Sequence, residues 1–174
     1  MTDFCARVGR LVDENPAEAV PAKVAELMPT LLADPTFLAP EQMSAPEKGY
    51  ARHELYLCPD DRFTVLAVVW PAGITSPIHD HNTWCAFGVY DGVVAETRYR
   101  PIDGTCDRPL AEPVSVRAWK MGEAGALPLG SGDIHGMHNP GSRASVSIHV
   151  YGGNIEKTGP NVGRVYKVVE PALA

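Results

Sequence analysis

Apolar side chains in the first part of the chain recur at the spacing of an α-helix. One apolar stripe covers residues 3–13 and a second covers residues 17–33. Such stripes predict two amphipathic helices, each with one face packed against a core. The prolines Pro35, Pro40 and Pro46 then predict a loop, with one helical turn after Pro40.

From residue 50 onward the pattern changes to short β-branched and apolar runs, separated by Gly, Pro, Asn and Asp. Such runs are typical of strands, and the separating residues are typical of turns. The predicted strands are residues 51–58, 63–70, 83–90, 93–99, 114–121, 126–129, 133–137, 144–151 and 164–169. Short strands with regular turns and no internal repeat predict an all-β double-sheet jelly roll. We expect one domain over residues 1–174, with a helical cap at residues 1–48 and a β-barrel at residues 49–174.

Charge and cysteine content narrow the class of protein. The 174 residues carry a net charge of −6 and show no basic cluster for a nucleic acid or an anionic membrane. The four cysteines show no Cys-x-x-Cys spacing, and the start of the chain lacks a secretion-signal pattern. No apolar run reaches the roughly 20 residues of a membrane-spanning helix. We expect a soluble cytoplasmic protein, a monomer or weak homo-oligomer, that binds a small ligand.

Three histidines form a candidate metal site. His79 and His81 alternate along the chain, so on an extended strand both side chains point to the same face, and Cys85 and Phe87 follow if the extension continues. Two imidazoles on one face are half of a metal site, and His135 on a distant predicted strand is the candidate for the other half. Imidazole suits iron, zinc, copper and nickel, so the ligand type alone does not select the metal.

A second polar pattern lies near the carboxyl end of the chain. Ser147, His149 and Tyr151 occupy alternate positions, so on a strand they share one face while the apolar residues between them pack on the other. A hydroxyl, an imidazole and a phenol in a row form a hydrogen-bonded relay, and a buried phenol needs a partner. The alternative is a strand whose polar face only satisfies its own hydrogen bonds.

The histidine segments resemble the two motifs of the cupin family. The residues that fit the first motif are Gly73, His79, His81 and Gly92. The residues that fit the second motif are Gly132, His135 and Asn139. Cys85 stands where the first motif has a metal-binding Glu. The resemblance therefore implies a cupin double-stranded β-helix barrel whose metal site has lost its carboxylate ligand.

Further residues resemble the thiol dioxygenases of the cysteine dioxygenase family. The matching features are a Ser-x-His-x-Tyr run, a cysteine shortly after the His-x-His, and a Tyr-x-Arg ahead of the first core strand. They are Ser147, His149, Tyr151, Cys85, Tyr50 and Arg52. The resemblance implies a non-haem iron enzyme that adds both atoms of O2 to a thiol. Its cofactor, Fe(II), is then bound by His79, His81 and His135.

The same resemblance assigns roles to the remaining residues. The implied catalytic relay consists of Tyr151, His149 and Ser147. Arg52, with Tyr50, is implied to bind the substrate carboxylate, since Arg can form two parallel hydrogen bonds with it. Cys85 and Tyr151 are implied to form a thioether cross-link in the cysteine-oxidising members. Some bacterial relatives use an Arg beyond the relay tyrosine, so Arg164 is a second candidate for the carboxylate anchor.

Several alternatives stay open from the sequence alone. Arg52 and Cys85 favour L-cysteine as the substrate, which would become cysteine sulfinate, and the alternatives are 3-mercaptopropionate and mercaptosuccinate. A metal-binding cupin isomerase or hydrolase would need an acid and a base near the metal. A non-catalytic cupin that binds a small molecule would not need the relay. We expect a small thiol carboxylate and O2 as partners, and neither a nucleic acid nor a membrane.

Overall fold

The computed structural model describes residues 1–104, 108–127, 129–130, 133–158 and 162–169. Its helices are α1 (Thr2–Glu14), α2 (Val20–Leu32), a short 3-10 helix (Pro40–Met43) and α3 (Ile155–Thr158). α2 begins at Val20 rather than at residue 17, and Pro21 lies in its first turn, where a missing N–H leaves no helical hydrogen bond unmade. Within the described residues, no helix is both long and apolar enough to cross a bilayer.

Short strands form two sheets. The strands are β1 (Ala51–Leu57), β2 (Phe63–Trp70), β3 (His79–His81), β4 (Cys85–Asp91), β5 (Val93–Ile102), β6 (Leu110–Lys120), β7 (Ala124–Leu127), β8 (His135–His138), β9 (Ser145–Gly152), β10 (Val162–Val165) and β11 (Lys167–Val168). The five-stranded sheet has the order β1-β2-β9-β4-β7, and the six-stranded sheet has the order β10-β3-β8-β5-β6-β11. Together with the helices at the N-terminus, this arrangement confirms the predicted all-β jelly roll with a helical cap.

The five-stranded sheet lies between the helices and the barrel interior. All eight residues of β2 are buried, as its two-sided apolar pattern predicts. α2 packs on β4 and β7, and its Val24 and Met28 share one apolar cluster with Ile148 and Val150 of β9. Phe87 of β4 belongs to a second cluster, inside the barrel. Because the apolar residues of β9 face the helices, the polar residues between them face the barrel interior.

The chain changes sheets directly after the histidine strand. The predicted strand over residues 83–90 begins at Cys85, because the chain bends at residues 82–84. β3 belongs to the six-stranded sheet and β4 to the five-stranded sheet, so Cys85 and Phe87 do not continue the face of the two histidines. Trp84 fixes the bend, since its carbonyl accepts the N–H of Gly152 at 3.0 Å and its side chain is buried.

Other strand bounds also differ from the prediction, and two of these differences have a clear physical cause. β6 begins at Leu110 rather than at residue 114, because Pro113 lies opposite Tyr99 at a register shift, where a missing N–H is tolerated. The predicted strand over residues 164–169 is divided into β10 and β11. The division falls at Tyr166, which is buried and donates its hydroxyl hydrogen to Asp80.

Candidate metal centre and active site

The structure brings the three predicted metal ligands together inside the barrel. His79 of β3 lies directly opposite His135 of β8, and the alternation along β3 places His81 on the same face. The three ring centroids are 4.8–4.9 Å apart. Their candidate ligand atoms all lie within 4.8 Å of one another, and all three side chains are buried. Gly132 of the second motif lies outside the described residues.

Oxygen acceptors fix the tautomers of two of these histidines. Nδ1 of His79 lies 2.9 Å from the carbonyl oxygen of Pro77, and Nδ1 of His135 lies 3.1 Å from Oε1 of Glu96. A nitrogen beside such an acceptor must carry the proton, so Nε2 keeps its lone pair. Both imidazoles are therefore prepared to bind a metal ion through Nε2.

The third imidazole has an unsatisfied nitrogen. Oδ2 of Asp133 accepts the backbone N–H of His81 at 3.0 Å, and it lies 3.5 Å from Nδ1 of the same residue. That Nδ1 is buried without a hydrogen-bond partner among the described residues. A metal ion on Nε2 would make the Nδ1 proton more acidic and draw it toward the carboxylate, which is the usual outer partner of a metal-binding histidine.

Burial keeps two of the three imidazoles neutral. The pKa of His79 is lowered to about 3 by burial and by the neighbouring His135 and His81, and burial likewise lowers the pKa of His135. Neutral imidazole is the form that binds metals. Three clustered imidazoles, two of them with a fixed tautomer and a lowered pKa, therefore fit a divalent metal ion, which these three histidines would bind.

Glu96 is a functional residue that the sequence reasoning missed. Its side chain is 2% exposed on β5, where its Oε1 also lies 3.3 Å from Nε of Arg98 and its Oε2 accepts the indole N–H of Trp119 at 3.0 Å. Burial alone would raise the pKa of Glu96, but His135, Arg98 and Trp119 outweigh it and lower the pKa. The signal in the sequence was an acidic residue directly after an apolar run.

The predicted relay is present as a continuous hydrogen-bonded chain. Oγ of Ser147 lies 2.8 Å from Nε2 of His149, and Nδ1 of His149 lies 3.2 Å from the hydroxyl of Tyr151. Trp70 extends the chain, because its indole N–H donates to Oγ of Ser147 at 2.8 Å. Burial is the main reason that the pKa of His149 falls to about 3 and that the pKa of Tyr151 rises well above its usual value.

Trp70 gives this chain a direction. An indole N–H can only donate, so Ser147 accepts from Trp70 and has its own hydroxyl proton left for Nε2 of His149. The neutral imidazole then carries its proton on Nδ1 and donates it to the phenol oxygen of Tyr151. The phenol proton is then left for a partner other than His149. The opposite direction would leave the buried hydroxyl of Ser147 without an acceptor among the described residues.

Cys85 lies beside the relay. It is directly opposite Tyr151 in the pairing of β4 with β9, and its Sγ is 3.9 Å from Nδ1 of His149. Burial raises the pKa of the Cys85 thiol well above its usual value. Cys5, Cys58 and Cys85 are the free cysteines of the described part of the chain, and Cys106 lies outside it.

The three candidate metal ligands and two residues of the relay, His149 and Tyr151, line one small cavity with a volume of about 30 Å³. The described residues that line it are Tyr50, Arg52, Val68, Trp70, Ser76, His79, His81, His135, Met137, His149, Tyr151 and Val162. Tyr50 stacks on Trp70 with ring centroids 5.0 Å apart. Arg52 is exposed at the edge of the cavity, and its charge is among the causes that lower the pKa of His149. Arg52 is the one permanent cation in this lining, which holds no carboxylate.

The structure does not bring Arg164 to the cavity. β10 places its side chain on the outer face of β3, where Nε and Nη2 lie 2.8 and 2.7 Å from Oδ2 of Asp80. Burial alone would raise the pKa of Asp80, but hydrogen bonds from Arg164 and Tyr166 outweigh it and lower the pKa. The expectation that Arg164 anchors the substrate carboxylate is therefore corrected: its guanidinium is already paired with a carboxylate of the chain itself.

Solved structures share this fold at low sequence identity. A double-stranded β-helix protein from Klebsiella pneumoniae is 17% identical, with a TM-score of 0.51 over 77% of this chain and 99% of that one. CapF, solved with the inhibitor 3-isopropenyl-tropolone, is 19% identical, with a TM-score of 0.52 over 72% of this chain. The aligned part of this chain corresponds to only 34% of the CapF chain.

A family comparison is more specific than the shared fold. The model of the family described as cysteine dioxygenase type I matches residues 5–158, which include all three candidate metal ligands, the relay and Arg52. The chain therefore belongs to the cysteine dioxygenase type I family of cupin proteins.

Proposed function

We propose that this protein is a non-haem iron(II) thiol dioxygenase that oxidises a small thiol carboxylate, foremost L-cysteine, to its sulfinate. The observation that carries the proposal is one cavity in which three buried imidazoles, the relay tyrosine and one arginine meet. Both atoms of O2 would end on sulfur. Oxidation of a thiol to a sulfinate releases four electrons, and O2 accepts all four. The reaction therefore needs no separate reductant.

The three histidines define where the reaction would occur. Iron(II) bound by His79, His81 and His135 would supply the chemistry that O2 and a thiol lack on their own, including deprotonation of the thiol. Glu96 holds the imidazole of His135 in place from outside the cavity, and Asp133 lies beside the imidazole of His81. Their buried carboxylates also offset part of the added positive charge.

Arg52 is the proposed carboxylate anchor. A guanidinium can bind a carboxylate through two parallel hydrogen bonds, which fixes the orientation of the substrate as well as its affinity. The cavity lining that the structure describes holds this one permanent cation, which favours a monocarboxylate such as L-cysteine or 3-mercaptopropionate over mercaptosuccinate. The same lining holds no Asp or Glu, so an isomerase or hydrolase would lack a carboxylate acid or base there.

Tyr151 is the proposed proton donor. Tyr151 lines the cavity, the direction of the relay leaves its phenol proton for a partner other than His149, and its raised pKa keeps the proton on the phenol at neutral pH. It would donate a hydrogen bond to a reacting oxygen atom, while His149 and Ser147 keep the phenol in place. Such a positioned donor acts where charge develops during the reaction.

Cys85 and Tyr151 are also proposed to form a thioether. They are direct partners across two strands, so a bond between Sγ and a ring carbon of Tyr151 would not require the backbone to move far. The bond forms with the loss of two hydrogen atoms, that is, two protons and two electrons, which would reduce one O2 to H2O2. A decrease of two hydrogen masses in the intact protein, absent from a Cys85→Ala variant, would identify it.

The free thiols agree with the cytoplasmic location that we also propose.

The test is oxygen consumption by the iron-loaded protein. We expect one O2 consumed for each sulfinate formed with L-cysteine, and comparison with 3-mercaptopropionate and mercaptosuccinate ranks the substrates. Replacing Arg52 by Ala should raise KM about tenfold or more, as expected for a lost hydrogen bond to a charged group. The Arg52→Lys variant keeps the charge and should be affected less. No oxygen uptake with any of the three thiols would refute the proposal.

A further inference from the structure

A buried carboxylate lies on the outer face of the metal-binding strand. Asp80 stands between two metal ligands on β3 but points the opposite way, and it is only 6% exposed. Its Oδ1 accepts the backbone N–H of Arg164 at 2.5 Å. Its Oδ2 accepts from Nε of Arg164 and from the hydroxyl of Tyr166, each at 2.8 Å. Asp80 thus binds the segment after β9 through both of its oxygen atoms.

This segment lies directly against β3. Val162 and Val165 are the register partners of His81 and His79 in the antiparallel pairing of β10 with β3. Gly163 makes the close approach feasible, because a Cβ atom there would lie 2.5 Å from Oδ1 of Asp80. No side chain larger than hydrogen fits at that position without displacing the carboxylate.

The same segment forms part of the cavity wall. Val162 lines the cavity beside the metal ligands, and it is the one described lining residue that comes from the chain after β9. Its place in the wall depends on how β10 is fastened. The pairing with β3 spans only Val162–Val165 and is irregular, so the contacts of Asp80 are a substantial part of that fastening.

We propose that Asp80, Arg164 and Tyr166 form a clamp that positions Val162 as a wall of the substrate cavity and thereby determines which ligands fit. These are positioning residues, since Asp80 and Arg164 do not line the cavity. A fixed apolar wall restricts the orientation of a small ligand and excludes a bulkier one. The positioning part of this inference stands on the contacts alone, whereas its consequence for thiol substrates rests on the proposed function.

A merely structural role for Asp80 makes different predictions from a clamp. If the carboxylate only stabilised β3, loosening its partners would lower iron content and kcat together. A clamp acts on the cavity wall, so loosening it should raise KM and relax selectivity while the three metal ligands stay in place. A change in KM with little change in kcat indicates lost binding that substrate and transition state share.

Hydrogen exchange tests the positioning without any assay of activity. We would compare the wild-type protein with Arg164→Ala and Tyr166→Phe. Arg100→Ala is the control, since Arg100 of β5 forms an exposed ion pair with Glu112 of β6. Removing Arg164 should speed exchange of the amides at residues 162–166 about tenfold. Tyr166→Phe should act in the same direction, and the control should not. Unchanged exchange at residues 162–166 in both variants would overturn the clamp.

Gly163→Ala reaches the clamp by an independent route. The added methyl group would press on the Asp80 carboxylate rather than remove one of its partners. We expect it to speed exchange at residues 162–166 as Arg164→Ala does, so one misfolded variant cannot decide the outcome. Protection of the β2 and β9 amides identifies the variants that are still folded.

Kinetics then test the consequence for substrates. Arg164→Ala and Val162→Ala should each raise KM for L-cysteine about tenfold, with iron content unchanged. Both should also raise kcat/KM for penicillamine relative to that for L-cysteine, since penicillamine carries two more methyl groups. If the clamp acts through Val162, the double variant should be no worse than either single variant. Additive effects, or an unchanged KM, would overturn the consequence for selectivity. If the wild type oxidises no thiol, the proposed function fails and the exchange data alone decide the clamp.

Discussion

The two sheets supply the two halves of the site and support them in different ways. The five-stranded sheet carries the relay on β9, and the helices cover its outer face, so that all eight residues of β2 are buried. The six-stranded sheet carries the three histidines on β3 and β8, and its strand β6 is largely exposed, with Val114 and Val116 at 58% and 69%. Apolar packing from behind is therefore available to the relay and much less so to the metal ligands.

Carboxylates support the metal ligands, whereas apolar packing supports the relay. β3 is only three residues long, too short to hold its imidazoles by side-chain packing alone. Glu96 and Asp133 contact two of those imidazoles from the side away from the cavity, and Asp80 fastens the neighbouring strand. Sequence changes in the two sheets should therefore produce different kinds of defect: lost stability in one and lost metal affinity in the other.

The largest expected effect is on the packed side. Ile148 is fully buried on β9, between two relay residues and facing the helices. Ile148→Ala should lower the free energy of unfolding by about 2–5 kcal/mol because it leaves a cavity in close-packed surroundings. The control, Val116→Ala on the exposed strand, should change it by less than about 0.5 kcal/mol. Denaturant unfolding measures both, and equal losses would contradict the contrast between the two sheets.

On the metal side, Glu96→Gln should weaken metal binding more than it weakens the fold. The amide preserves shape but loses the charge that holds the Nδ1 proton of His135. Residues of this kind typically change metal affinity by about 10–100-fold. Glu112→Gln is the matched control, since Glu112 pairs with Arg100 at the surface. A titration with iron(II) measures the affinity, and equal affinities in the two variants would remove the supporting role of Glu96.

Acid should destabilise the metal-free protein through the relay histidine as well as through His79 and His135. His149 binds a proton only below about pH 3 in the folded protein, against an ordinary pKa of 6.5. Between these values the unfolded chain binds one more proton, so the metal-free protein should lose about 1.4 kcal/mol per pH unit on account of His149 as the pH falls. His149→Asn should make this slope shallower between pH 6 and 4, where His79 and His135 still contribute to it, and should leave it unchanged above pH 7. An equal slope below pH 6 would show that His149 is protonated in the folded state.

Patterns of period two predicted most of the site, because alternation on a strand is a local property. It placed His79 with His81, and Ser147 with Tyr151, on common faces. Glu96 could not be found in this way, because its contact with His135 depends on how β5 pairs with β8. These two strands lie far apart in sequence.

The misassignment of Arg164 has the same physical origin. Its place beyond Tyr151 in the chain made it a second candidate for the anchor, but the face that it occupies is decided by how β10 pairs with β3. That pairing directs Val162 to the cavity and Arg164 to Asp80. Local patterns therefore predict which side chains share a face, whereas the partner of that face follows from strand pairing.

The smallest expected effect comes from a matched pair of tryptophans, one in each sheet. Trp70 of β2 donates its indole N–H to Ser147 of the relay, whereas Trp119 of β6 donates to Glu96. Replacing either by Phe removes one buried donor and keeps most of the ring. A hydrogen bond of this kind contributes about 0.5–1.5 kcal/mol, a change of a few-fold.

The two replacements should differ in what they change rather than in size. Trp70→Phe should lower kcat a few-fold, because Ser147 no longer has a fixed donor and the phenol proton of Tyr151 is no longer left for a partner other than His149. Its iron affinity should stay at the wild-type value. Trp119→Phe should weaken iron binding a few-fold and leave kcat unchanged at saturating iron. Iron titration measures the affinity of both variants, and steady-state kinetics measures their kcat. A loss of kcat in both variants at full iron occupancy would show that the two sheets do not support their halves of the site separately.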